Sequence, residues 1–248
     1  MIVEAAADFR HVCGLLDRKI LHHAPDWFDE KQLEGERIWC GIKPGSTFTC
    51  WKHIKQLAQT HGGLRGRGPI GFGLGDSRHY DYPSTRKVLQ MCGLMKERPD
   101  AVLLVRDLDD VPRERRLSIE QAKRESNLHN MEVVLALAEA KREAWVLNGF
   151  DPKTRAEKEI LAGLRSELGF DPRTEAHQLN AVKHGAPRDA KRVLAALTGG
   201  DAAREEACWM ETGWTILRER GTATGLYAFL SAAKDRLVPL ITGIPAGE

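Results

Sequence analysis

Carboxylates stand at two places in this chain where a strand would end. Met1-Ile-Val-Glu4-Ala-Ala-Ala-Asp8 opens the sequence, and Ala101-Val-Leu-Leu-Val-Arg-Asp107-Leu-Asp109-Asp110 again sets acids after an apolar run. Two strands running the same way in one parallel sheet deliver whatever follows them to the same edge, however distant they are in sequence. Carboxylates gathered there repel one another, and a hard divalent cation relieves the repulsion. Mg²⁺, or Mn²⁺ in its place, takes oxygen ligands and suits such a set. Glu4, Asp107 and Asp109 are therefore candidate metal ligands, with Asp110 as an acidic neighbour that either joins them or faces solvent. Glu143 follows another apolar run and precedes Trp145. It either completes the metal shell or is a surface charge flanked by Lys141 and Arg142. The competing reading for every strand-end carboxylate is the capping of the next helix, which Asp does well.

The elements that must position these acids alternate along the first part of the chain. A very short strand at the N-terminus leads into a helix over about Asp8 to Leu21, with Phe9, Val12, Leu15 and Leu16 on one face. Ile38-Trp-Cys-Gly-Ile42 reads as a second strand, and Pro44-Gly-Ser-Thr47 leads into a helix through about His61. A Gly-rich stretch follows from Gly62 to Gly75, then a helix from Ser84 to about Met95 and the strand that ends in Asp107. Ser118-Ile-Glu-Gln121 has capping-box spacing and predicts a helix start; Met131 to Ala138 predicts another strand, and Glu143 opens a further helix or the loop into one. From Thr154, with Glu157 three residues on, the pattern is helical to the end, broken at Gly169, Gly185-Ala-Pro187, Gly199-Gly200 and Gly221. The expected fold is α/β: a parallel sheet flanked by helices over 1–150, and a helical C-terminal layer or subdomain over 151–248 packed on it.

The two acidic segments resemble the Toprim superfamily, which carries a Glu after its first strand in a Glu-Gly-x-Ser/Thr-Asp/Glu setting and an Asp-x-Asp after a later one. Glu4 and Asp8 stand at the two acidic positions, and Asp107 and Asp109 supply the Asp-x-Asp, while Ala5 replaces the Gly and Ala7 the Ser/Thr. Val111-Pro-Arg-Glu-Arg-Arg-Leu-Ser-Ile-Glu-Gln-Ala and Glu143-Ala-Trp145-Val-Leu147 are similar to small standalone bacterial Toprim proteins often encoded beside SMC/ABC-type ATPases in defence loci. The resemblance covers about residues 1 to 150. It implies Mg²⁺-dependent phosphodiester hydrolysis on DNA or RNA. Asp107 and Asp109 would hold the ion that polarises the scissile phosphate, and Glu4 would serve as general base, acid or further ligand. It implies an ATPase partner as well. A catalytically weakened module serving that ATPase is the alternative, favoured by Ala5 and Ala7 and by the lack of a Gly-x-x-x-x-Gly-Lys-Ser/Thr motif in the chain itself.

Arginines supply candidate phosphate contacts. Arg65, Arg67 and Arg78 lie on or beside the Gly-rich stretch, and Arg106, Arg113, Arg115 and Arg116 flank the Asp-x-Asp. A flexible surface loop and a solvated helix face are the competing readings. With 37 basic against 35 acidic residues the net charge is +2, so any nucleic-acid surface must be local. No apolar run approaches a membrane span and the N-terminus enters a strand directly, so a cytoplasmic protein without membrane contact is expected. The five cysteines lack Cys-x-x-Cys spacing and are expected to be reduced and inert. His22, His23, His177 and His184 have no partners at metal-ligand spacing, and the six tryptophans read as packing residues.

Overall fold

A computed structural model describes residues 1–60, 79–126, 128 and 130–245 of the chain. The expected phosphate contacts Arg65, Arg67 and Arg78 lie outside the described residues. The chain runs β1 (Ile2–Val3), α1 (Ala6–His23), α2 (Glu30–Glu36), β2 (Thr49–Cys50), α3 (Ile54–Thr60), α4 (Tyr82–Leu94), β3 (Ala101–Asp107), α5 (Pro112–Glu125), β4 (Glu132–Ala138), α6 (Arg142–Asn148), α7 (Arg155–Leu168), α8 (Ala190–Thr198), α9 (Ala202–Met210), α10 (Trp214–Gly221) and α11 (Leu226–Thr242). The four strands form one parallel sheet in the order β2-β1-β3-β4. Because β2 lies on one side of β1 and β3 on the other, the winding reverses between β1 and β3. That is where ligands bind in open α/β sheets.

The strand sequences are apolar throughout because both faces are covered. Val3, Leu103, Val105, Val134 and Ala136 face one core with Val12, Leu15 and Leu16 of α1, Trp145 of α6 and Phe229 of α11. Their neighbours Ile2, Val102, Leu104, Val133 and Leu137 face a second core with Ile54 of α3, Val88 and Leu89 of α4, and Ile119 of α5. This period-2 alternation makes three layers. The C-terminal helices belong to the first: α11 packs on α1 and on β4, and Leu161, Leu194 and Leu217 extend the same apolar cluster. Trp145 ties α6 to α11 within this layer, stacked on Phe229 at 5.4 Å between ring centres and donating its indole N–H to the Thr224 carbonyl at 2.7 Å. Gly225, at φ +83°, caps the start of α11 beside the Leu137 carbonyl, and a Cβ there would come within 2.3 Å of that oxygen.

Both ends of the sheet are blunt. On the β4 side, Lys123 Nζ donates to the Val133 carbonyl at 2.7 Å, with Arg236 Nη1 at 3.5 Å from the same oxygen, and the Glu139 N–H donates to Thr224 O at 3.0 Å. On the other side, β2 is two residues long.

Two expected elements are corrected. Ile38–Ile42 is not a strand: Ile38 is 84 % exposed, and the segment enters a turn in which Gly41 N–H donates to Ser46 O and Ile42 N–H to Thr49 Oγ1. The pairing residues are instead Thr49 and Cys50 beyond the turn, beside Ile2 and Val3. Ser118 does not start a helix. It is buried inside α5, which begins at Pro112, and its hydroxyl donates to Arg115 O at 2.8 Å. The Thr154 start holds: its hydroxyl accepts the Glu157 N–H at 3.1 Å, and Glu157 reaches back to the Thr154 N–H. Among the described residues no helix is long and apolar enough to cross a membrane.

Candidate metal centre

The ends of β1, β3 and β4 bring the predicted acids toward one edge, at the reversal between β1 and β3. Glu4 follows β1, Asp107 is the last residue of β3, and Glu143 sits in the first turn of α6, just beyond β4. Asp8, in the first turn of α1, turns back to accept the Ala5 N–H at 2.7 Å, so this carboxylate caps a helix start that Ala5 has no side chain to cap. Asp107 Oδ1 accepts the backbone N–H of Arg142 at 2.9 Å, which joins the end of β3 to the start of α6.

These carboxylates sense one another. Burial pushes Asp107 up to about 8, and the charges of Glu143, Asp8 and Asp109 push the same way against the Arg142 N–H. Burial also raises Glu4, opposed by Arg106 and assisted by Asp8 and Asp109. Asp8 is raised by burial, opposed by the Ala5 N–H and Arg142 and assisted by Glu143. Glu143 is buried rather than a solvated surface charge, and its Oε2 has no hydrogen-bond partner among the described residues. Asp110 is exposed, and Asp109 takes a left-handed conformation at φ +49°, uncommon for a residue other than glycine.

Three arginines hold the acids. Arg106 bridges Glu4 at 2.5 Å and the buried Asp81 at 2.7 Å. Arg115 pairs with Asp109 at 3.3 Å and donates to the Asp107 carbonyl at 3.2 Å. Arg142 lies between Asp8 at 3.0 Å and Glu143 at 3.4 Å. Arg116 is paired with Glu139. Of the four arginines expected to meet phosphate here, Arg106, Arg115 and Arg116 are thus engaged within the protein, while Arg113 is exposed with no ion pair among the described residues.

Asp81 and Arg142 were not foreseen as parts of the site. Asp81 precedes Tyr82-Pro83, a spacing that signals a helix start, yet its carboxylate reaches β3 instead. Burial raises Glu205 of α9, with Arg142 opposing and Glu143 assisting. A cleft of about 300 Å³ adjoins the cluster, lined by Asp109, Asp110 and Lys141 with Asn180 and Val182. Lys141 fastens that wall by donating to Ala181 O at 3.2 Å and pairing with Asp189 at 3.7 Å.

The donor set is all oxygen and mutually repelling, and it includes a buried carboxylate oxygen, Glu143 Oε2, with no hydrogen-bond partner among the described residues. The arginines meanwhile neutralise the acids piecewise. Among the described residues no three His, Cys, Asp or Glu side chains are gathered as ligands to one ion. Compared with known proteins, the chain matches no family model, no curated protein and no solved structure.

His11 lies one turn beyond Asp8, fully buried against Trp209 at 4.2 Å, and neither ring nitrogen has a hydrogen-bond partner among the described residues. Burial, with Arg142 adding to it, holds its pKa well below the usual 6.5. A pKa depressed on folding supports the folded state above the free value and withdraws that support as pH falls through it. His11→Phe keeps a ring and loses the titration, so it is expected to flatten the acid loss of stability below about pH 6.5. Urea midpoints measured across that range check this, and an unchanged acid slope would refute it.

Proposed function

We propose that this protein is a Mg²⁺- or Mn²⁺-dependent nuclease of Toprim type, hydrolysing phosphodiester bonds in DNA or RNA. One observation carries the reading: carboxylates from Glu4, Asp8, Asp107, Asp109 and Glu143 come into electrostatic reach of one another at the winding reversal of a parallel sheet. The bound ion would supply charge neutralisation at the scissile phosphate and an activated water. Asp107 and Glu143 would hold it, with Asp109 and Asp110 on the cleft side. Glu4, raised by burial, suits a proton-transfer role at the same edge. Arg106 and Arg115 position Glu4 and Asp109, which leaves Arg113 as the exposed cation for the phosphate backbone.

The test is cleavage of labelled single- and double-stranded DNA and RNA by the isolated protein, with Mn²⁺ or Mg²⁺ and with chelator. Cation-dependent cleavage is expected. Arg113→Ala is expected to weaken substrate binding and to lower the slope of log affinity against log salt by about one. No cleavage under any of these conditions would overturn the reading for the isolated protein.

A second reading, a regulatory or effector subunit of an SMC/ABC-type ATPase in a defence system, is favoured by the three arginines that already occupy the acids. It predicts cleavage only after the ATPase is added. A cytoplasmic location accords with either reading.

A further inference from the structure

The last two turns of α1 gather basic side chains around one indole. The Arg18 guanidinium lies 4.1 Å and the Lys19 ammonium 4.8 Å from the centre of the Trp214 ring, and the exposed His22 ring sits 5.7 Å from it. His23 meets His22 edge to face at 4.8 Å. Arg18 is held by donating to Trp209 O at 2.5 Å and to Thr212 O at 2.6 Å, bonds that fix the guanidinium and leave its charge in place. The charges crowd one another. Burial lowers Lys19, with Lys234 of the adjoining α11 and Arg18 pushing the same way and Asp235 opposing. Arg106, Arg115, Arg116 and Arg142 each pair with an acid, whereas Arg18, Lys19, His22, His23 and Lys234 form no ion pair among the described residues. The carboxyl end of a helix supplies about half a negative charge, which favours cations here and cannot balance several of them. Ring faces adjoin this charge. Phe28 is buried with Ile20 of α1 and Val238 of α11, and it seats the segment beyond α1 so that Trp27, 5.7 Å away between ring centres, stays 60 % exposed. Cations without acids, next to aromatic rings in water, suit a single nucleic-acid strand, whose phosphates take the charge and whose unstacked bases take the rings. An acidic peptide would use the cations and leave the rings idle.

We propose that the end of α1 is a binding surface for single-stranded nucleic acid, with Arg18, Lys19 and Lys234 drawing the phosphates and His22 and Trp27 offering rings to the bases. The surface stands apart from the carboxylate edge. Asp8 lies at that edge in the first turn of α1, and Lys19 is about 16 Å further along the helix axis. The inference therefore goes beyond the nuclease reading and needs no metal: a strand is held here whether or not it is cut.

The experiment is fluorescence anisotropy of a labelled mixed-sequence DNA single strand with the whole protein in chelator, across a salt series, for the wild type, Lys19→Gln, Lys234→Gln, Trp27→Ala and Lys158→Gln. Lys19→Gln and Lys234→Gln are each expected to weaken binding and to lower the slope of log affinity against log salt by about 0.7, the share of one single-strand phosphate. Trp27→Ala is expected to weaken binding about fivefold or more with the slope unchanged, since a stacked base carries no charge to the ring. Lys158→Gln, which removes an exposed lysine of α7, is expected to match the wild type. No binding by the wild type, or losses in Lys19→Gln and Lys234→Gln no larger than in Lys158→Gln, would overturn the proposal. Losses in both lysine variants with Trp27→Ala unchanged would also overturn it, in favour of a surface for acidic peptides. Should Lys19→Gln fail to fold, Lys234→Gln and Trp27→Ala decide by the same criteria. Binding with these signatures in a protein that cuts nothing upholds this surface while the nuclease reading falls.

Discussion

Asp107→Asn is expected to abolish cation-dependent cleavage and, without cation at alkaline pH, to make the protein more stable than the wild type. Both effects follow from one carboxylate. In the metal-free fold, burial and the charges of Glu143, Asp8 and Asp109 raise Asp107 from 3.8 to about 8. The folded state therefore holds a proton that the unfolded chain has lost over most of that interval. A raised folded pKa gives stability that is complete below the unfolded value and disappears as pH climbs through the folded one. Wild-type stability should thus decline between pH 4 and pH 8, by at most about 1.4 kcal/mol per pH unit and by less once solvent screening of this incompletely buried group is discounted. Asparagine has nearly the same volume and cannot ionise, so the decline should flatten. Millimolar Mg²⁺ or Mn²⁺ should restore the wild type at pH 8 and leave the variant unmoved, because binding stabilises only a fold that has the site. Cleavage should fall by at least ~100-fold, since even neighbours of metal ligands cost 10–100-fold when replaced. Thermal melts with and without cation, set beside the cleavage assay, check both halves. Full activity in the variant would show that Asp107 is structural.

The second large effect is on stability. Trp145 is 1 % exposed, lies nearly parallel to Phe229, and gives its indole proton to the Thr224 carbonyl. Trp145→Ala removes the ring stack, takes from that carbonyl one of its two donors, the Glu139 N–H remaining, and opens a void between α6 and α11. Truncation of a buried aromatic costs about 3–5 kcal/mol, a large share of the ~5–15 kcal/mol that holds a typical domain together. At this chain length the melting temperature should fall by roughly 6–20 °C. Trp145→Phe keeps most of the packing and loses only the hydrogen bond, so its fall should be smaller. A change of less than about 2 °C in the alanine variant, under half the loss expected for such a cavity, would mean that the layer is held elsewhere.

Buried parallel strands are legible because they are apolar without interruption, and β1, β3 and β4 stand where such runs end in acids. Two-residue β2 has no pattern to read; it pairs because a turn sets Thr49 beside Ile2, while the more apolar Ile38 faces water. Ser118-Ile-Glu-Gln121 shows the limit of spacing rules: the same four residues fit a helix start and a helix interior, and the Pro112 start decided between them. At the site, Asp107 was legible as one of a set of clustered carboxylates whose acidity must be disturbed. The partners were not. Arg106 and Arg115 read as grips for phosphate, since arginine suits either a phosphate or a carboxylate and spacing does not say which is nearer. Asp81 and Arg142 join the cluster from the start of α4 and from α6, and only the packing of those helices shows that they meet it. Trp27, 60 % exposed, is an exception among tryptophans read as packing residues.

The stapled sides of the sheet bear on how copies of this chain meet one another. An open strand side is a template on which a neighbour's backbone can add, and addition repeated from chain to chain is a route to insoluble fibres. Here a newcomer at β4 would have to displace the Lys123 ammonium from the Val133 carbonyl and the Thr224 carbonyl from Glu139, and at β2 it would find only two residues to pair with. Crowding many copies together, as in overexpression, should therefore not lengthen the sheet from chain to chain, and any assembly has to be made through helices and side chains.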